Sequence, residues 1–115
     1  MSAHKIYDMT FKTIYDAYVN KVERKDRTAE ELDEVLNWLT GYDDEALRAL
    51  ADDGVTMREF FEGNSGLNDD RFLVTGSICG VKIDEIEDPL MKEIRIMDKV
   101  VDELAKGKAI EKIKR

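Results

Sequence analysis

A chain with one cysteine cannot cross-link itself, and Cys79 is the only one among 115 residues. The fold must therefore rest on burial and hydrogen bonding, and the lone thiol agrees with a reducing compartment. Its neighbours Ile78 and Gly80, and the acidic run that follows, fit a small buried side chain better than a reactive thiolate, which needs positive charge nearby. A single histidine, His4, excludes histidine-based metal clusters and imidazole relays. No apolar run approaches the ~20 residues of a membrane span, and the opening MSAHKIYDMT lacks the apolar centre of a signal peptide. These absences predict a cytoplasmic protein without a membrane partner. A phosphate-cradling glycine loop and a recognisable Ser/His/Asp setting are also missing, so no cofactor is expected.

What is present is charge. Charged residues make up 38% and hydrophobic residues 43%, a balance that builds an ordinary core under a dense charged surface. The net charge of -8 is uneven, because from Lys106 onward five cations face one anion, leaving the tail at +4 and the rest at -12. Such a body repels phosphate backbones and speaks against nucleic acid as a partner, with the tail as the one place where contact could begin. Cations there also complement the negative end of a helix.

Spacing divides the chain into helices. Thr10 can cap a helix from about Phe11 to Lys25 whose Phe11, Ile14, Tyr15, Tyr18 and Val22 share a face. Thr28 with Glu31, and Thr56 with Glu59, form capping boxes, and Val55 with Phe60 makes a hydrophobic staple at the second of them. Leu32, Val35, Leu36 and Leu39 form one apolar stripe before Gly41, which suits a left-handed helix end. Asp43 or Asp44 opens a third, short helix that stops at Gly54. Residues 62–70 are the most loop-like part. Asp88-Pro89 is a strong start for the longest helix, with Leu90, Ile94, Met97, Val101 and Leu104 in one stripe. Ile110 and Ile113 predict a last amphipathic turn after Gly107, docked on the body or on another subunit.

The segment 71–83 is ambiguous. Its β-branched residues and Gly76-Ser77 allow a small hairpin, but alternation is poor, and the spacing favours a helix capped by Asn68 or Asp69 and ended by Gly80. The predicted fold is all-α, one small domain over 1–115 of five or six helices with a long C-terminal amphipathic helix. The alternative is α+β with a hairpin around Gly76-Ser77.

Several segments together resemble a bacterial family known as domain of unknown function 2200. They are WLTGY (Trp38 to Tyr42), ICGV (Ile78 to Val81), EIEDPLM (Glu85 to Met91) and DELAKGKAIEKI (Asp102 to Ile113), with HKIYDM and RTAEELDEVLNWLTGY around them. The resemblance covers essentially the whole chain and implies a small bacterial protein. It implies no reaction, cofactor or catalytic residue.

Three sets of residues are candidates for function. The broad stripe Leu90, Ile94, Met97 and Val101 predicts a non-enzymatic interaction or assembly module that pairs as a homodimer through the long helix. A small-ligand site or enzyme would instead draw on His4, Tyr7, Trp38 and Tyr42, since such rings join apolar area to a polar tip, with the acidic turn Asp84, Glu85, Glu87 and Asp88 beside them. As a metal site that turn has the wrong spacing and lacks the glycine-centred calcium loop, so a solvated turn that complements a helix dipole is expected. The basic tail is the third candidate, for a salt-sensitive contact with an acidic partner.

Overall fold

Each of the first five helices begins where a short polar side chain can take up a free amide. Thr10 is the N-cap of α1 (Phe11–Glu23), its hydroxyl accepting from the Thr13 amide at 3.2 Å. Thr28 and Thr56 cap α2 (Ala29–Thr40) and α4 (Met57–Glu62) in complete capping boxes, where Glu31 and Glu59 accept in turn from the cap's own amide. Asp43 caps α3 (Asp44–Asp52), and Asp88 caps α5 (Pro89–Ala105) with Pro89 in its first turn. Each such cap is worth about 1 kcal/mol over alanine, so these starts are set locally. A final turn, α6 (Ile110–Ile113), follows Gly107. The structure, a computed structural model, describes residues 5–64, 66–78 and 80–115. Over these residues the fold is all-α, with one two-stranded hairpin.

Helix α5 lies at the centre. It touches α1, α2, α4 and α6, and its buried residues include Ile96 and Val100 as well as the predicted stripe. Leu90, Ile94, Met97 and Val101 are at most 9% exposed, covered by the chain's own helices. This corrects the reading of the stripe as an interface: it is the inner face of the core, and these four side chains are not available to a second copy. The start of α1 is tied to the start of α4 by an isolated antiparallel bridge between Thr10 and Thr56. Phe11 stacks on Phe60 there at 4.1 Å between ring centroids.

Helix α1 stops at Glu23, short of Lys25, because Asp26 turns left-handed at φ 62° and the Asp26 and Arg27 amides bond back to Glu23 and Val22. Segment 71–83 departs further from expectation. The favoured helix is absent: Asp69–Leu73 is a 3-10 turn, and Ser77–Ile78 (β1) pairs antiparallel with Val81–Lys82 (β2). The hairpin alternative is the observed one, but Ser77 opens the first strand instead of forming the turn. Gly76 and Gly80, at φ 96° and 79°, leave the right-handed helical region on either side of β1. Lys99 Nζ on α5 donates to the Ser77 carbonyl at 3.1 Å and ties the hairpin to the long helix. Cys79 lies outside the described residues.

The loop after α4 has a task that its composition conceals. A helix leaves its last carbonyls without partners, and here Asn68 Nδ2, the Asn68 amide and Asn64 Nδ2 donate to the carbonyls of Trp38, Leu39 and Thr40 at the end of α2. The approach is close: a Cβ on Gly41 would stand 2.3 Å from the Gly66 carbonyl oxygen, and Gly41 already sits at φ 78°.

Alanine at Gly41 therefore meets both a disfavoured backbone region and a backbone clash, whereas at Gly54, with φ 69° and open space around it, only the first applies. In urea denaturation we expect Gly54→Ala to lose about 1 kcal/mol. Gly41→Ala should lose clearly more, and equal losses would refute the close approach.

Candidate functional site

His4 lies outside the described residues, so the predicted ligand set reduces to three rings. Tyr7 is buried, with its hydroxyl donating to Asp88 Oδ2 at 2.5 Å and the Arg58 guanidinium 5.0 Å over its ring. Tyr42 is half-buried and tilted against Phe60 at 5.5 Å, and half-buried Trp38 packs on the core while its carbonyl accepts from Asn68. These rings serve packing and capping, and none lines the surface depressions described below.

Tyrosine hydroxyls instead join distant elements. Tyr15 on α1 donates to Asp33 on α2 at 2.5 Å, and Tyr18 on α1 donates to Asp98 on α5. Burial, then the neighbouring aspartate, pushes Tyr7 up to about 12 and holds Tyr15 and Tyr18 well above the usual tyrosine range. Burial also raises Tyr42. Asp98 is raised by burial, against the opposing effects of Tyr18 and Arg95.

Within the acidic turn, Asp88 is both the cap of α5 and the acceptor for Tyr7, while Asp84, Glu85 and Glu87 are exposed. Among the described residues no three His, Cys, Asp or Glu side chains gather in a way that could hold a metal ion. The basic tail is folded back. Lys106 pairs with Asp102, Lys108 and Arg115 with Glu103, and Lys114 with Glu34, while Ile113 is buried.

Two depressions occur near α1, α2 and α3. One of about 100 Å³, between Phe11, Tyr15 and Leu47, is small beside the ~300–1,000 Å³ of typical ligand sites. The other is an open groove of about 450 Å³ edged by Glu30, Asp33, Glu34 and Asp44.

A different surface holds exposed apolar side chains. Phe72 is 52% and Leu73 58% exposed, side by side on the Asp69–Leu73 turn. That turn is held from below. Arg71 Nε donates to both Glu93 carboxylate oxygens at 2.8 and 3.0 Å, and Arg71 Nη1 donates to the Asn68 carbonyl at 2.9 Å, with Arg71 and Glu93 both largely covered. The Arg71 guanidinium also lies 4.2 Å from the Phe72 ring centre. Beside the turn is a depression of about 330 Å³ with Phe72, Ile86 and Pro89 among its walls. Sequence reasoning missed this surface, although the run Phe72-Leu73-Val74 carried a signal. Outside a fully covered element three consecutive apolar residues cannot all point inward, and only Val74 does.

The all-α fold with its small hairpin, its central α5 and its folded-back tail defines a class of small helical proteins. A family model described as "Uncharacterized protein conserved in bacteria (DUF2200)" matches residues 5–115, and the chain belongs to that family. Among solved structures, the chain is similar to the crystal structure of uncharacterized protein SP1917, at 47% sequence identity and a TM-score of 0.90, over 98% of this chain and 92% of that one. Among curated proteins none matches. Across the described residues no helix is long and apolar enough to cross a membrane.

The raised tyrosines set the alkaline limit of the fold. A hydroxyl whose folded value lies above its unfolded 10.0 contributes stability that is complete below pH 10 and is lost as pH rises through the folded value, about 12 for Tyr7. Stability should therefore fall once pH exceeds 10, and tyrosinate absorbance should appear together with loss of helical circular dichroism. Two or more tyrosinates forming near pH 10 in a still-folded protein would contradict the three Tyr–Asp bonds, since Tyr42 alone stands outside them. Tyr18→Phe, which strips Asp98 of a buried donor, should cost about 1–3 kcal/mol at neutral pH.

Proposed function

We propose that this chain is a non-enzymatic interaction module whose docking surface is the Phe72–Leu73 turn with the adjoining Ile86–Pro89 wall. The observation that carries the reading is the pairing of two well-exposed large apolar side chains with a rigid base made by Arg71, Glu93 and Asn68. Exposed apolar residues are common on any protein. A fixed pair beside a depression is more telling, because a preorganised anchor loses little side-chain freedom on binding. Covering a phenylalanine and a leucine can then return about 1.5–3 kcal/mol each, scaled by the area still open. The long helix is not the surface in this reading, since its stripe is already covered by the chain itself.

Replacing both residues, Phe72→Ser with Leu73→Ser, tests this directly. Because neither is in the core, stability in urea should change by no more than about 0.5 kcal/mol per site. Peptides selected from a random display library on the wild-type protein should lose binding to the double variant. A loss of stability of several kcal/mol would make the two residues structural, and peptides that bind both proteins alike would remove the surface from the reading.

A further inference from the structure

We infer that the partner of the Phe72–Leu73 surface is a protein segment with an apolar anchor flanked by lysines or arginines. This rests on the docking reading above and adds the chemistry of the occupant. Residues 69–89, which carry the turn, the hairpin and the wall, contain six carboxylates against two cations. One of those cations, Arg71, bonds Glu93 and lies 3.8 Å from Asp69, so beyond those two carboxylates it offsets little of the rim. Asp69, Asp70, Asp84, Glu85 and Glu87 are exposed, and Glu87 lines the depression together with Phe72, Ile86 and Pro89. Lys92, a cation without an ion pair among the described residues, lines it too, its ammonium 5.8 Å from the Phe72 ring centre, so the acidic excess is in the surroundings and not in the floor. An apolar floor with an acidic rim selects a complementary occupant, because like charge brought to the rim is repelled and opposite charge steers the approach.

A second copy of this chain does not satisfy that condition. Two such faces meeting would oppose acidic rim to acidic rim, in molecules that each carry a net charge of -8. The tail, the segment with the largest excess of positive charge, would have to reach across from a neighbour. Four of its five cations, Lys106, Lys108, Lys114 and Arg115, are held by carboxylates of their own body, and Ile113 is buried beside them. Face-to-face pairing of two copies is thus disfavoured by charge, and a foreign chain is the occupant inferred. Nucleic acid, with its phosphates, is repelled by the same rim.

Three dye-labelled synthetic peptides of equal length, sharing a central Leu-Phe anchor with flanks of lysine, serine or glutamate, distinguish the possibilities by fluorescence anisotropy on the full chain. The lysine-flanked peptide should bind about tenfold more tightly than the serine-flanked one, and the glutamate-flanked peptide more weakly than either. That advantage should shrink as salt shortens the Debye length from about 10 Å at 0.1 M to about 3 Å at 1 M. Asp70→Lys with Glu87→Lys should turn the preference toward glutamate flanks. Equal binding of all three peptides, lost in the Phe72→Ser/Leu73→Ser variant, would overturn the charge inference and leave the docking surface standing. Absence of binding by any of them at millimolar concentration would overturn both. Lysine-peptide binding that persists in that double variant would reduce the effect to general attraction and overturn the inference.

Discussion

Helix α5 turns buried side chains toward α1, α2, α4 and α6 at once, and the demand for cover on so many sides sets the arrangement of the rest. A helix that is apolar around much of its circumference cannot rest on one neighbour; it has to be wrapped. Among the polar groups of α5 that this wrapping largely covers is Asp98, and Tyr18 on α1 and Arg95 on α5 supply its donors. The bond from Tyr18 gives α1 a fixed height against α5. Two other tyrosines repeat the device, Tyr15 against α2 and Tyr7 against the N-cap of α5. Apolar contact supplies the bulk of the attraction between these elements, while the three hydroxyls supply position, since a hydrogen bond has a direction and a dispersion contact has none.

The same logic extends from the core to the surface. The end of α2 takes its missing donors from Asn64 and Asn68, so the loop after α4 is bound to the bundle instead of trailing from it. Asn68 then serves a second purpose, because its carbonyl receives Arg71 and its side chain receives the Asp70 amide. A chain of polar contacts therefore runs from a helix end, through one asparagine, to the arginine beneath Phe72. The exposed ring stands on a base tied to the helices of the fold, which is why a single short 3-10 turn can still offer a defined shape.

Local signals in the sequence were sufficient wherever the physics was local. Thr28 with Glu31, Thr56 with Glu59, Asp88-Pro89 and Gly41 each marked a helix boundary that the structure has, because a cap involves residues three or four apart and nothing distant. Segment 71–83 failed for the opposite reason. Its β-branched content and its two glycines are compatible with either outcome, and the contacts that hold the hairpin are distant in sequence: the burial of Ile78 and Ile83 in the core and the bond from Lys99 on α5 to Ser77, twenty-two positions away. The stripe on α5 was legible as apolar, but periodicity says that a face is covered and not by what. Leu90, Ile94, Met97 and Val101 consequently looked like an intermolecular surface although their cover is internal. Tyr7, Trp38 and Tyr42 share that ambiguity, since a ring in the core and a ring in a pocket have the same spacing. The tail was visible as a block of positive charge, and its pairing with Glu34, Glu103 and Asp102 depends on the folded arrangement.

The separations along the chain of the bonds that join its two ends also carry a consequence for its synthesis. Tyr7 reaches Asp88 across 81 positions, Tyr18 reaches Asp98 across 80, Arg27 reaches Lys108 across 81, and Glu34 meets Lys114 across 80. Helices α1 and α2 thus emerge from the ribosome long before the element that covers them. At ~5–20 residues per second, the interval is about 4–16 s. During that time Val22, Leu32, Val35 and Leu36, all fully enclosed in the finished protein, have no α5 to lie against. The nascent chain is then a pair of capped, amphipathic helices waiting for its own C-terminal third, and its vulnerability to aggregation is greatest at that stage of translation.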